Sequence, residues 1–290
     1  MNPILKKKFA SFVLNKTKFN NVIQKLYPIA ITNKYGVKKD GILDLNLTRD
    51  RIGNISSKFR VANLSLENYI RLGDDCDGGY VVVDNIKKKD VCLSIGIGDN
   101  ISFDKAVSPF VSRIHMYDHT VDAPRDLPSN AIFHKIGLSK EIRHNMTTLD
   151  ECINRISDKE EVILKIDIEG SEWDVFSSVS LENLSRCKQI IVELHNIHFF
   201  RNDEFFESML LALDKLNCLH TLVNIHANNW SAFDIIAGIP VPNVLEVTYI
   251  RSDLLRENML CASRTNFNHM NKRNNPVQPD IELSFIKFQQ

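Results

Sequence analysis

The sequence predicts an α/β fold built on a seven-stranded, mostly parallel sheet whose last strand runs antiparallel. Three observations predict it. Short apolar runs alternate with helix-like segments from Val91 to Ile225, the rhythm of parallel strands joined by crossover helices. Val162–Asp167 is apolar at nearly every position, as a strand covered on both faces must be. Before Val244–Ile250 lie about eighteen residues broken by Pro240 and Pro242, too interrupted for a crossover helix, so this strand returns antiparallel.

In chain order, Leu5, Phe9, Phe12 and Val13, then Phe19, Val22, Ile23 and Leu26, fall at helical spacing and predict an N-terminal amphipathic helix or helix pair ended by Pro28. Lys6, Lys7, Lys8, Lys16 and Lys18 occupy its other face. Peripheral contact with an anionic membrane and packing against the main domain or a second subunit are both open to it. Residues 29–66 are polar with broken periodicity, so residues 1–66 read as an appendage and residues 67–290 as the main domain. Tyr69–Leu72 and Tyr80–Val83 are β-type runs around the turn-forming Gly73–Gly79, a hairpin that either folds over a ligand or covers a sheet edge.

The organising stretch is Val91–Asp104. An apolar strand runs into Gly96-Ile97-Gly98, and Asp99-Asn100 leads on to a helix. Glycines there permit positive φ and close approach of a ligand to backbone, although the third glycine of the dinucleotide fingerprint is missing. Asp118 ends the next strand, Arg113–Asp118, twenty residues beyond Gly98, the distance at which such a unit presents a carboxylate to ribose hydroxyls. Further strands are expected at Ala131–Lys135, Gln189–Glu193 and Leu219–Ile225. Thr148 to Glu151 forms a capping box opening a helix to about Ile156, residues 172–179 are helix-like, and Asn202 or Asp203 caps an amphipathic helix through Leu216. The tail, with Asn274–Pro279, is expected to cross the surface as an irregular strap.

Totals narrow the function. With 290 residues and 43% apolar content, the chain can bury a large core. Lys plus Arg equals Asp plus Glu at 36 each, which disfavours nucleic acid or another polyanion as partner. The six cysteines show no CxxC spacing, as expected of thiols in a reducing compartment without a zinc site. Neither a signal peptide nor a run long enough to span a membrane is present, so a cytoplasmic location is expected; a homo-oligomer is open.

In an open α/β sheet, ligands bind beyond the carboxyl ends of the strands. There the sequence places Asp167, Glu169 and Glu172, then Glu193 and His195, then His226, Asn228 and Asn229. Asp167, Glu193 and His226 offer oxygen and nitrogen ligands suited to Mg²⁺ or Mn²⁺; the alternative is that Glu193 and His226 pair with each other or with backbone groups.

Arg71-Leu-Gly73, Asp77-Gly-Gly-Tyr80, Leu93–Asp99, Leu164-Lys-Ile-Asp-Ile-Glu-Gly-Ser-Glu-Trp173, Glu193-Leu-His195, His226–Asn229 and Leu245–Tyr249 together resemble the FkbM-related family of S-adenosylmethionine-dependent methyltransferases. The resemblance implies a class I, Rossmann-like fold, S-adenosyl-L-methionine as methyl donor, and a hydroxyl acceptor on a sugar, glycan or other small molecule. It makes Gly96, Gly98, Asp99, Asp118, Gly137, Asp77 and Tyr80 candidate cofactor contacts. In the expected mechanism a divalent metal on Asp167, Glu193 and His226 chelates the acceptor while His195 takes the hydroxyl proton. Asp167, Glu193 and His195 are thus the candidate catalytic residues. The sequence departs from some relatives, which carry a basic histidine near the position of Gly170. Two rival readings are a metal-dependent hydrolase using the same rim and a non-catalytic cofactor-binding partner subunit in glycan assembly.

Overall fold

The computed structural model describes residues 45–236, 238–261, 269–283 and 286. The expected helix over residues 5–26, with its lysines, lies outside the described residues. The chain opens with α1 (Leu45–Lys58) and the antiparallel hairpin β1 (Tyr69–Leu72) and β2 (Tyr80–Val83). It continues through β3 (Val91–Ile95), α2 (Ser102–Val107), β4 (Arg113–Tyr117), β5 (Ala131–His134) and the two-residue strands β6 (Gly137–Leu138) and β7 (Met146–Thr147). Next come α3 (Leu149–Asn154), β8 (Val162–Ile166), α4 (Glu172–Ser178), α5 (Leu181–Leu184), β9 (Cys187–Leu194), α6 (Asp203–Leu219) and β10 (His220–Ala227). A second hairpin, β11 (Phe233–Ile236) and β12 (Ile239–Pro242), precedes β13 (Leu245–Arg251).

Seven strands form one sheet in the order β10-β13-β9-β8-β3-β4-β5, and β13 is antiparallel to both β9 and β10. The remaining pairings in it are parallel. Every residue of β3, β8 and β9 is buried, the two-faced cover that a continuous apolar run requires. Side chains alternate between faces. Leu93 packs on the side of α3, α4 and α6, and Cys92 on the side of α2 and the β1–β2 hairpin.

The helix starts follow local chemistry. Thr148 Oγ1 accepts from Glu151 N at 3.3 Å to open α3, and Asn202, not Asp203, caps α6 by accepting from Phe205 N at 3.0 Å. The hairpin lies across the sheet face, pinned by sheet side chains. Gln189 Oε1 accepts from Val83 N at 2.9 Å, its Nε2 donates to Val83 O at 2.8 Å, and Thr248 Oγ1 donates to Val81 O. This arrangement covers sheet and reaches the ligand end at once.

Within the expected appendage, residues 45–66 pack on the main domain: Ile52, Ile55 and Phe59 enter the main core at helical spacing, and Arg51 donates to the carbonyls of Phe200 and Arg201 at 3.1 and 2.8 Å. Few apolar residues among many polar ones had hidden that face. The stretch before β13 also contains an ordered hairpin, its prolines standing where β11 and β12 pair with nothing else.

Gly96 sets the seam between β3 and β8. Its φ is +73°, and a Cβ there would overlap the carbonyl oxygen of Asp167, whereas Gly98, at φ +50°, has open space where a Cβ would stand. We therefore expect Gly96→Ala to lose about 3 kcal/mol or more and Gly98→Ala about 1–2 kcal/mol, measured by urea unfolding. Equal losses would refute the assignment of Gly96 to the seam.

Candidate active site

A cavity of ≈ 750 Å³ opens at the carboxyl ends of the parallel strands, where the chain direction of connections switches between β3 and β8. Asp77, Tyr80, Gly96, Gly98, Asp99, Asp118, Gly137, Asp167, Glu193 and His195 all line it. His226 does not. These residues come from the hairpin, the loop after β3, the end of β4, β6, the end of β8 and the end of β9.

Beside the glycine loop, Asp118 is 6% exposed and already engaged. Its Oδ2 accepts from Gly98 N at 3.0 Å, and its Oδ1 accepts from Thr120 N at 2.7 Å and Thr120 Oγ1 at 2.6 Å. Burial alone would raise this carboxyl, but those bonds outweigh it and hold the group below the ordinary aspartate range. Asp118 thus clamps the glycine loop in addition to facing the cavity. Gly137 is required for another reason: a Cβ there would meet His119 Nδ1 and, at 2.7 Å, Met146 Sδ.

Elsewhere in the cavity, one ligand atom from each of Asp167, Glu193 and His195 lies within 4.8 Å of the others. His195 Nε2 is 3.9 Å from Asp167 Oδ1 and 3.8 Å from Glu193 Oε1. Its Nδ1 is 3.0 Å from Glu172 Oε1 and 3.1 Å from the carbonyl oxygen of Glu193. Tyr80 Oη stands 3.4 Å from both Asp167 Oδ2 and Glu193 Oε2. Burial, reinforced by Asp167 and Glu246, pushes the Glu193 carboxyl well above the usual range; burial and the carboxylates around it do the same to the Tyr80 phenol. Burial opposes charge on His195, yet the hydrogen bond with Glu172 and the carboxylates of Glu172, Glu193 and Asp167 raise it to about 9. These carboxylates favour the protonated ring, whereas the sequence expectation was a base with an unperturbed pKa.

The expected metal set also changes. Glu193 pairs across the sheet with Glu246, and Glu246 with His226, so β13 stands between Glu193 and His226. His226 Nδ1 instead lies 3.2 Å from Glu246 Oε2, and its Nε2 lies 3.6 Å from Asp280 Oδ1 of the tail. The antiparallel strand was anticipated, but its position inside the sheet was not.

Four residues in the site carried no role from the sequence. Lys165, 5% exposed, donates Nζ–H to Gly96 O at 2.8 Å and stands 3.7 Å from Asp167 Oδ2; a charge inside an apolar strand was the available signal. Glu172, fully buried, accepts from Ile168 N at 2.9 Å and Gly170 N at 3.3 Å with the same Oε1 that orients His195. Asn228 Nδ2 donates to Glu193 Oε1 at 2.7 Å, and Trp230 joins the lining. A Cβ on Gly170 would overlap Asn196 Nδ2, so a histidine cannot stand there without displacing Asn196.

The sheet order, the glycine loop facing an acid at the end of the next strand, and the antiparallel β13 define a class I methyltransferase fold. The chain belongs to the FkbM methyltransferase family: the methyltransferase FkbM domain matches residues 62–219. Similar solved structures include precorrin 8w decarboxylase of Methanobacterium thermoautotrophicum, 15% identical over 57% of this chain and 82% of its own, with a TM-score of 0.33. A candidate methyltransferase of Streptococcus mutans in complex with SAH is 11% identical over 57% of this chain and 88% of its own, with a TM-score of 0.30. An rRNA methylase of Streptococcus thermophilus is 10% identical over 57% and 89%, with a TM-score of 0.34. Among curated proteins none matches the chain.

Asp118→Asn replaces one acceptor oxygen by a donor and leaves a loop N–H or Thr120 unpaired. We expect a loss of about 1–3 kcal/mol and about tenfold weaker binding of S-adenosylhomocysteine by calorimetry. Because the folded carboxyl sits below its unfolded range, this stabilisation is present above the unfolded pKa of about 3.9 and fades as pH falls through the folded value. A stability gap between wild type and variant that persists undiminished in acid would contradict it.

Proposed function

We propose that the protein is an S-adenosylmethionine-dependent O-methyltransferase acting on a hydroxyl of a sugar or glycan, with Asp167, Glu193 and His195 as a divalent-cation site. The observation that carries this reading is that the loop of Gly96 and Gly98 and the cluster of Asp167, Glu193 and His195 open on one cavity. Donor and acceptor chemistry would meet there.

The donor half fits a nucleoside cofactor. Gly98 leaves open space beside its backbone, the Asp118 carboxylate holds the loop from beneath, and Leu138 with Met146 supplies apolar lining. Bound there, the sulfonium would supply an electrophilic methyl group. The chain's own task is then alignment and proton removal; alignment is worth about 7–11 kcal/mol and a positioned base roughly 10²–10⁴-fold.

The acceptor half fits a cation by the same standard. Burial first, then the charges of Asp167, Glu246 and Asp77, raise Glu193, an arrangement a divalent ion would relieve. Asp167, Glu193 and His195 would hold it, and it would supply Lewis-acid polarisation of the acceptor oxygen. Glu172 fixes the direction of His195 through Nδ1, and Asn228 fixes Glu193. Asp167 Oδ2 faces Tyr80 Oη at 3.4 Å, which places the phenol and this carboxylate together beside the cluster. Lys165, 3.7 Å away, stabilises that carboxylate. No helix among the described residues is long and apolar enough to cross a membrane.

Calorimetric titration with S-adenosylhomocysteine in chelator and again with Mn²⁺ tests both halves. We expect binding in both conditions, Mn²⁺ binding weakened at least about tenfold in His195→Ala, and methyl transfer to a glycoside lowered about 100-fold or more by chelator. Absence of S-adenosylhomocysteine binding in the wild type would overturn the methyltransferase reading. Undiminished Mn²⁺ binding in His195→Ala would remove the cation from this site.

A further inference from the structure

Three consecutive residues after β10 are held in different ways. Asn228 is 4% exposed; its Nδ2 donates to Glu193 Oε1 at 2.7 Å and its Oδ1 accepts from Trp230 N at 2.9 Å. Asn229 is 5% exposed and grips the tail: its Nδ2 donates to the carbonyls of Asn275, Gln278 and Pro279 at 3.0, 3.1 and 3.3 Å, and its Oδ1 accepts from Asn275 N at 2.7 Å. Trp230 follows these two anchors with its indole 60% exposed, on the wall of the cavity. Among the described residues no aromatic ring or cation is seen stacked on it.

The chain has two tryptophans, and the other is used in the opposite way: Trp173 is 1% exposed and donates Nε1–H to His195 O at 2.6 Å. The backbone of Trp230 is thus tied through one asparagine to Glu193, while its large apolar face stays open. An indole face is apolar and electron-rich, and its natural cover is a flat surface of C–H groups. The same cavity is lined by polar Ser231, Asn228 and Asp77 and by apolar Val244. An aromatic acceptor would call for apolar cover on both of its faces. A pyranose ring has a C–H face on one side and hydroxyls around its edge, which matches a cavity that holds both an open indole and the carboxylates of Asp167 and Glu193.

We propose that Trp230 is the acceptor platform: a pyranose ring stacks its C–H face on the indole and turns its hydroxyl edge to Asp167 and Glu193. This rests on the reading of the protein as a sugar O-methyltransferase and adds the residue that selects the acceptor.

Acrylamide reaches the open indole of Trp230 and not buried Trp173, and the Trp230→Phe variant supplies the emission that belongs to Trp173. The full-length protein, loaded with S-adenosylhomocysteine and Mn²⁺, is titrated with methyl α-L-rhamnopyranoside, methyl α-D-mannopyranoside, methyl β-D-galactopyranoside and, for comparison, catechol. Fluorescence and acrylamide quenching are followed, with calorimetry in parallel. We expect at least one glycoside to shift emission to shorter wavelength and to reduce quenching about twofold, a response absent in Trp230→Phe. Trp230→Ala should bind that glycoside about tenfold more weakly and S-adenosylhomocysteine unchanged, and Trp230→Phe should recover most of the glycoside affinity. Failure of every glycoside to bind, or equal binding to wild type and Trp230→Ala, with S-adenosylhomocysteine binding intact, overturns the platform and leaves methyl transfer standing. Catechol binding through Trp230 in place of glycosides overturns the sugar class. Loss of S-adenosylhomocysteine binding in the wild type instead strikes the underlying reading.

Discussion

The backbone of Gly96 lies so close to the carbonyl of Asp167 that no side chain fits between them. That contact joins the two halves of the site. Gly96 N donates to Tyr117 O at 2.8 Å, Asp167 N donates to Ile95 O at 3.0 Å, and Lys165 Nζ closes on Gly96 O at 2.8 Å. Three parallel strands therefore end at one level, with the glycine loop on one side of the seam and the carboxylate cluster on the other. Moving the seam would move both halves, because β4 and β8 are hydrogen-bonded to β3 on either side.

Electrostatics at this level is deliberate in one physical sense: negative groups are brought together at a cost. Glu193, Glu246 and His226 stand as cross-strand neighbours on β9, β13 and β10, and Asp167 follows β8. Burial and mutual repulsion raise Glu193, while Glu172 and its neighbours raise His195 against the effect of burial. The cluster is compensated unevenly. Lys165, 3.7 Å from Asp167 and with its ammonium 5.5 Å from the Tyr80 ring, brings positive charge to the cavity wall.

The elements that close the site come from outside the central sheet. The β1–β2 hairpin carries Tyr80 onto the carboxylates, and Phe103 braces that ring edge-to-face at a centroid distance of 5.6 Å. Asn274 of the tail donates both to Glu246 and, at 3.2 Å, to Asp77 in the hairpin loop. Asn271 and Asn224 exchange bonds at 3.0 and 3.1 Å. The strap expected from the sequence thus has a function in the architecture: it ties the hairpin to the far edge of the sheet.

The local sequence by itself determined the strands, because burial on two faces demands continuous apolar runs such as Val162–Ile166. It likewise determined the caps at Thr148 and Asn202 and the turn at Gly96-Ile97-Gly98, since each depends on a few adjacent residues. Legible for the same reason were Asp118, Asp167, Glu193 and His195, which stand at strand ends where a ligand would reach them. The tertiary structure alone decided which of those ends become neighbours. Inserting β13 between β9 and β10 sent His226 to Glu246 and left His195 beside Asp167 and Glu193. It also turned Lys165 and Glu172 from a stray charge and a helix-start acid into buried partners of Gly96 and His195. Spacing along a chain fixes which way a side chain points from its own strand; strand order, set by how separate segments pack into one sheet, fixes what it meets.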